Sequence, residues 1–175
     1  CRIGDFPCAQ PILWNNENQM TGDIMHLIGN NKTQKLDSLK VLNNAFIIQK
    51  DSLSKNGYNQ IKGQNLYGKF IDSKLKEVDV VKNAEVIYYM YNDANEFIGI
   101  NKTVCSKINL ELEANKINSI TFFTKTDSFI YPEADFPENA RKLRGFLWRG
   151  DERILSKEDI FPAEEIALDD KIQIE

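Results

Sequence analysis

A glycine-rich stretch is the first candidate for chemistry in this sequence. Residues 63–69 read GQNLYGK, which fits the first part of a phosphate-binding loop, G-x-x-x-x-G-K. Such a loop continues with a Ser or Thr that binds magnesium and with a helix whose first amides hold the phosphate. Phe70 stands at the Ser or Thr position, and the following residues have strand alternation. The sequence therefore argues against a nucleotide site, and it predicts no cofactor.

Nucleophilic catalysis would depend on His26, the one histidine of the chain. His26 lies between the apolar Met25 and Leu27, so a strand here would turn it to the opposite, solvent-facing side. Asp93 and Asn95 hint at a calcium loop, but the glycine and the closing glutamate of such a loop are absent. No spacing singles out a pair of carboxylates. The sequence predicts no enzymatic activity and no metal site.

The elements that would position any site come from a pattern that is written three times. Its copies span residues 35–45, 74–84 and 116–126, and they begin 39 and then 42 residues apart. Each copy reads Lys, apolar, two polar, apolar, polar, apolar, apolar. Repeats of this length are typical of stacked supersecondary units, each too small to bury its own face.

The repeated pattern predicts strands rather than helices. Counted from its first apolar residue, apolar side chains fall at positions one, four, six and seven, which a helix could also explain. Asn and β-branched residues crowd these segments, however, and turn residues recur every ~8 to 12 positions. The broken alternation predicts a β-bulge or a corner that turns consecutive residues toward one side.

One face of the predicted strands is apolar, and the other carries Lys40, Asp79 and Thr121 at the aligned position. A sheet folded over on itself would enclose the apolar face as a continuous trough. The sequence leaves open whether this trough closes as a core or stays open to a ligand. Its lining residues are predicted to be Met25, Leu27, Leu39, Val41, Leu66, Phe70, Val78, Val80, Ile108, Leu110, Leu112, Ile120 and Phe122.

The cysteines Cys1, Cys8 and Cys105 lack the C-x-x-C spacing of a zinc site, and their odd number argues against a disulfide framework. A bridge between Cys1 and Cys8 in an oxidising compartment stays open. The repeat places Cys105 at the position of Gly22 and Gly63, where a strand starts, which predicts that it serves as a small packing residue.

The sequence changes character at Pro132, which divides a repeat region, 1–131, from a C-terminal segment, 132–175. Pro137 followed by helix-forming residues predicts one or two helical turns that Gly145 stops. Residues 156–159 predict another helix cap, and the acidic end of the chain is predicted to be poorly ordered.

Cations in the C-terminal segment surround Phe146, Leu147 and Trp148. They could bind an anion, or they could frame a buried aromatic residue that seals the end of the sheet, and we favour the second interpretation. These cations are Arg141, Lys142, Arg144, Arg149 and Arg153.

Composition excludes two other classes. A net charge of −4 argues against a nucleic-acid binder, because neutralising phosphates requires a basic patch. The longest apolar run is about six residues, far from the ~20 of a membrane-spanning helix. The chain lacks an initiator Met and its first unit begins part-way through, so we expect it to be a segment of a longer protein.

A series of short motifs resembles one protein family. In order along residues 10 to 161, the chain resembles the OstA-like proteins, the LptA family of periplasmic lipopolysaccharide-transport bridges. The motifs that carry the resemblance are NQIKG at 59–63, GKF at 68–70, IGINK at 98–102, NKI at 115–117, KLRGFLWR at 142–149 and SKEDIF at 156–161.

The resemblance implies a folded-over antiparallel β-jellyroll, or β-taco, in the periplasm, whose interior holds the acyl chains of lipopolysaccharide. The trough residues would then be lipid-binding residues. The resemblance also implies sheet edges that pair head to tail with a copy of the chain or with other transport proteins. Two alternatives stay open. A scaffold would fill the trough with its own side chains, whereas a β-solenoid hydrolase would need carboxylates where Lys40, Asp79 and Thr121 stand.

Overall fold

Antiparallel strands make up the repeat region, as the alternation predicts. The computed structural model describes residues 10–54, 56–113, 116–124 and 126–156, and these contain no α-helix. The nine strands are β1 (Ile12–Asn15), β2 (Asn18–Thr21), β3 (Ile24–Asn30), β4 (Lys35–Lys50), β5 (Tyr58–Ile71), β6 (Lys74–Tyr91), β7 (Phe97–Glu113), β8 (Lys116–Phe123) and β9 (Asp127–Tyr131).

All nine strands belong to one open sheet, which confirms the all-β, folded-over class. Its order is β1-β2-β4-β5-β6-β7-β8, while β3 pairs with β4 and β9 pairs with β7. Tight turns join several of the strands. Asp72 and Ser73 form a two-residue turn with φ of 51° and 60°, as hairpins of this kind require. The first hairpin has a longer turn, at 31–34, and β3 continues through Asn30.

Each copy of the repeated pattern carries one β-bulge at the same place. The pairing skips Asp37, Lys76 and Asn118. Because one extra residue reverses the alternation, positions one and four of the pattern turn to the same face, and the predicted bulge is confirmed. Position seven behaves differently from the prediction. Leu42 and Val81 follow buried neighbours and turn to the outer face, where each is half buried.

A second irregularity bends the long strands. The backbone has positive φ at Asn43 and Asn44 (57° and 52°), at Lys82 and Asn83 (65° and 52°) and at Thr124 (53°), with the same 39- and 42-residue spacing. Asn is the residue that tolerates this conformation best after Gly. The strand ladders break at these positions and resume beyond them, so the strands turn a corner together.

A small residue lies inside the corner in each copy. A Cβ atom at Gly22 would lie 2.2 Å from Cγ1 of Val41, and one at Gly63 would lie 2.5 Å from Cγ1 of Val80. Cys105 takes this place in the third copy and is buried, as the repeat predicts. Burial raises the pKa of the Cys105 thiol, which therefore stays protonated at neutral pH.

The corner divides the sheet into two arms. Side chains of both arms belong to one hydrophobic cluster, so the sheet folds over and the arms face each other. Arm A consists of residues 24–30, 35–42, 65–71, 74–81, 107–113 and 116–123. Arm B consists of residues 12–15, 18–21, 45–50, 58–63, 84–91, 97–105 and 127–131.

A C-terminal strap, residues 132–153, covers the outer face of arm B. It contains three single turns of 3₁₀ helix, Glu133–Asp135, Glu138–Ala140 and Gly150–Glu152, the second of which begins after Pro137 as predicted. Phe136 and Leu143 of the strap are buried in a second cluster. The arm B members of that cluster are Phe46, Ile48, Ile87, Tyr89 and Ile100.

No helix among the described residues is long and apolar enough to cross a membrane. The predicted bridge between Cys1 and Cys8, the cap at 156–159 and the acidic end of the chain lie wholly or largely outside the described residues.

Candidate functional site

Most of the predicted trough residues of arm A lie in two rows that cross the sheet from strand to strand. All of the predicted residues except Leu27 belong to the interior cluster, and Phe70 and Leu112 lie just beyond the second row. The first row contains Met25, Val41, Leu66, Val80, Ile108 and Phe122. The second contains Leu27, Leu39, Gly68, Val78, Leu110 and Ile120.

Burial changes along each row. In the middle of the sheet Val41, Val80 and Ile108 are at most 1% exposed. At the two ends the side chains reach solvent, since Leu27 on β3 is 50% exposed and Ile120 on β8 is half buried. The interior is therefore a sealed apolar core in its centre and an open apolar surface at both ends.

Both ends also leave strand edges without a partner among the described residues. In arm A the outermost strands are β3 and β8, and in arm B they are β1 and β9. Apolar side chains are exposed on these edges, among them Ile24 on β3 and Phe129 and Ile130 on β9, the last two at 60% and 57%. An exposed apolar edge strand is a template for pairing with another chain.

The outer face of arm A carries a row of mostly polar side chains. Lys40, Asp79 and Thr121 turn outward as predicted, and His26 is exposed in the same cross-strand row. The Asp79 carboxylate lies 2.8 Å from Nζ of Lys107. No group of three potential metal ligands occurs among the described residues.

Two glutamines hold the strap on arm B, and the sequence analysis did not identify them. The Gln60 side chain is fully buried. Its Nε2 donates to the carbonyl of Arg141 at 2.7 Å, and its Oε1 accepts from the backbone N–H of Leu143 at 2.8 Å. Gln19 makes the equivalent two bonds from β2, which is separated from β5 by β4. Its Nε2 donates to the carbonyl of Leu147 and its Oε1 accepts from the backbone N–H of Arg149, both at 2.7 Å.

Most strap cations are engaged by the protein itself. Arg149 donates from Nη1 to the carbonyl of Gln10 at 2.7 Å and forms an ion pair with Glu152. That pairing raises the pKa of Arg149 and lowers the pKa of Glu152.

Three of the four remaining cations, Arg141, Lys142 and Arg153, contact aromatic rings or carboxylates. The guanidinium of Arg153 lies 5.8 Å from the ring centroid of Trp14, which in turn packs edge-on against Trp148 at 5.4 Å. Arg141 pairs with Glu138 at 3.0 Å. These contacts favour the interpretation in which the arginines frame aromatic side chains. They do not favour the alternative, in which the arginines bind an anion.

Comparison with protein-family models, with curated proteins and with solved structures yields no match to this chain.

Proposed function

We propose that this chain is a bridge module of the cell envelope that joins its neighbours end to end through its sheet edges. One observation carries the proposal. The apolar rows of arm A are sealed at the centre and become partly exposed on β3 and β8, the strands with unpaired edges. Such an end leaves both backbone hydrogen bonds and apolar surface unsatisfied.

Pairing of β8 with β3 of the next module would satisfy both. The backbone groups of the two edges would extend the sheet, and the exposed Leu27 and the half-buried Ile120 would continue the apolar rows across the junction. The partner is a second copy of the chain or another β-taco protein of lipopolysaccharide transport. The periplasm is the compartment that fits the family resemblance.

Site-specific photocrosslinking in living cells tests the edge. A photoreactive residue in place of Leu27 on β3 is expected to give protein adducts. The control is the same residue in place of Tyr67, which is 40% exposed on the outer face of arm A, away from both edges. Equal adduct yields at the two positions, or no protein adduct at position 27, would refute edge pairing.

A second candidate function is the carriage of lipopolysaccharide acyl chains inside the module. The observation that favours it is that the two rows contain no polar side chain from one open end to the other. Because the central residues are at most 2% exposed, an acyl chain could enter only if the two arms moved apart.

Photocrosslinking from Val78 and Ile120, with the adducts probed for lipopolysaccharide, distinguishes carriage from a packed core. Lipid adducts at both positions would support carriage along the interior. Protein adducts alone at Ile120, with none at Val78, would leave the interior as a core and the edges as the functional surface.

A further inference from the structure

A cleft lies between the strap, the outer face of arm B and the loop residues Leu53, Ser54 and Asn56. Its volume is about 830 Å³, within the range of pockets that hold small ligands. It lies on the opposite side of arm B from the apolar interior, so nothing proposed above for the edges or the interior involves it.

Aromatic rings form one side of the cleft. The exposed ring of Phe97 lies 5.6 Å from the ring of Tyr91 in an edge-on arrangement and 6.4 Å from that of Tyr89. Phe97 is 37% exposed, which leaves part of its ring free to contact a ligand. The Tyr91 hydroxyl donates a hydrogen bond to the carboxylate of Asp51, which fixes the direction of that ring.

Among the described residues that line the cleft, the positive and negative charges balance. Arg141 and Lys142 supply two cations, and Glu133 and Glu138 supply two anions. The Arg141 guanidinium lies 3.0 Å from the Glu138 carboxylate and 3.7 Å from that of Glu133. A net ligand charge would therefore gain little attraction here, whereas the paired groups still offer free lone pairs and N–H donors.

Neutral hydrogen-bonding groups complete the lining. Ser54 and Asn56 contribute a hydroxyl and an amide from the loop. Burial raises the pKa of the Tyr89 phenol, and burial together with the Asp51 contact raises that of Tyr91, so both stay uncharged at neutral pH.

We infer that the cleft binds a neutral saccharide of a few sugar units. A pyranose ring presents an apolar C–H face and a rim of hydroxyl groups, which correspond to the exposed Phe97 ring and to the charge-compensated polar wall. A flat aromatic ligand would use the rings but would make no use of the hydrogen-bonding groups of the polar wall and the loop.

Calorimetric titration of the full chain tests this inference. The probes are the neutral trisaccharides maltotriose, triacetylchitotriose and mannotriose, with trigalacturonate and chitosan trimer as anionic and cationic comparators. We expect saturable binding of at least one neutral trisaccharide and weaker binding of the charged ones. The absence of binding by all three neutral sugars, or tighter binding of a charged trimer, would overturn the inference.

Three variants locate the binding. Phe97→Ala is expected to weaken the affinity about tenfold, the loss that corresponds to ~1.4 kcal/mol of ring contact. Phe97→Tyr should bind like the parent chain, because it retains the ring. Phe129→Ala, which removes an exposed ring on β9 outside the cleft, is the matched control and should have no effect. Unchanged affinity in a Phe97→Ala protein with an intact circular dichroism spectrum would contradict the assignment.

Discussion

The backbone N–H of Leu143 donates to the side-chain oxygen of Gln60 at 2.8 Å, and both residues are buried. The Nε2 of the same Gln60 side chain donates to the carbonyl of Arg141. A single side chain thus satisfies two polar groups of the strap as a neighbouring strand would, and it does so in the middle of an apolar cluster. The strap is therefore an integral layer of arm B.

Replacement of Gln60 by Leu should be strongly destabilising. The apolar side chain has nearly the same size, but it leaves the Arg141 carbonyl and the Leu143 N–H without partners. Each buried unsatisfied group costs about 1–3 kcal/mol, so we expect the free energy of unfolding to fall by about 2–4 kcal/mol. Urea denaturation measures this loss.

The matched control for Gln60 is Gln64→Leu on the same strand, where the side chain is exposed. It should change the free energy of unfolding by less than about 0.5 kcal/mol. If the two substitutions lower the free energy of unfolding equally, the hydrogen bonds from Gln60 to the strap make no specific contribution to stability.

The corner should tolerate no side chain at Gly22. Its Cβ would lie 2.2 Å from Cγ1 of Val41, closer than any van der Waals contact allows, so we expect Gly22→Ala to cost about 1–3 kcal/mol through overpacking. Gly29→Ala on β3 is the control, because its Cβ would meet nothing closer than 3.6 Å.

A double substitution separates steric overlap from other effects at the corner. In a Val41→Ala background the overlapping methyl group is gone, so Gly22→Ala should cost less than in the parent chain. Thermal denaturation of the four proteins gives the coupling energy. Additive losses would show that the close approach of Gly22 and Val41 is not the cause.

The faces of the strands could be predicted from the sequence because they depend on local spacing. Alternation fixes which side chains share a face, and the gap between positions one and four records the bulge at Asp37 and Lys76. Leu27 shows the limit of this reasoning. Its face follows from its register opposite Leu39, whereas its exposure depends on β3 being the last strand.

The strap and the cleft could not be predicted, because both join residues far apart in the sequence. Gln19 binds a segment about 130 positions away, and no spacing reports such a contact. One local signal did exist. Ala45 to Ile48 is a continuous apolar run, and strands of this kind are buried on both faces. That run indicates a cover over arm B without identifying it.

The centre and the end of an interior row should differ in their tolerance to charge. Val80→Asp places a carboxylate at a site that is 1% exposed, inside the interior hydrophobic cluster, and should prevent stable folding. Phe122→Asp lies in the same row on the edge strand β8, where the side chain is only half buried. We expect this protein to fold with reduced stability.

This difference decides which variant can test lipid binding. Loss of lipid from Val80→Asp would reflect unfolding, whereas loss of lipid from a folded Phe122→Asp protein would support carriage. Circular dichroism and co-purified lipid should be measured on the same sample. Equal lipid content in the parent chain and in folded Phe122→Asp would count against an acyl-chain path along this row.

Stability should fall at alkaline pH because of the buried and half-buried tyrosines of β6. The pKa of Tyr91 is raised well above its ordinary value, first by burial and then by its hydrogen bond to Asp51, and burial also raises those of Tyr88 and Tyr89. An unfolded tyrosine ionises near pH 10, whereas the folded one keeps its proton to higher pH. The stabilisation is complete below about pH 10 and is lost as pH rises toward the folded pKa.

Urea midpoints measured from pH 8 to pH 11 test this dependence. We expect a constant midpoint up to about pH 10 and a decline above it, which should be shallower in Tyr91→Phe because one shifted group is removed. Tyr67→Phe, on the exposed outer face of arm A, should follow the parent chain throughout. Parallel curves for Tyr91→Phe and Tyr67→Phe would mean that Tyr91 does not carry the alkaline transition, and that its contact with Asp51 is not coupled to folding.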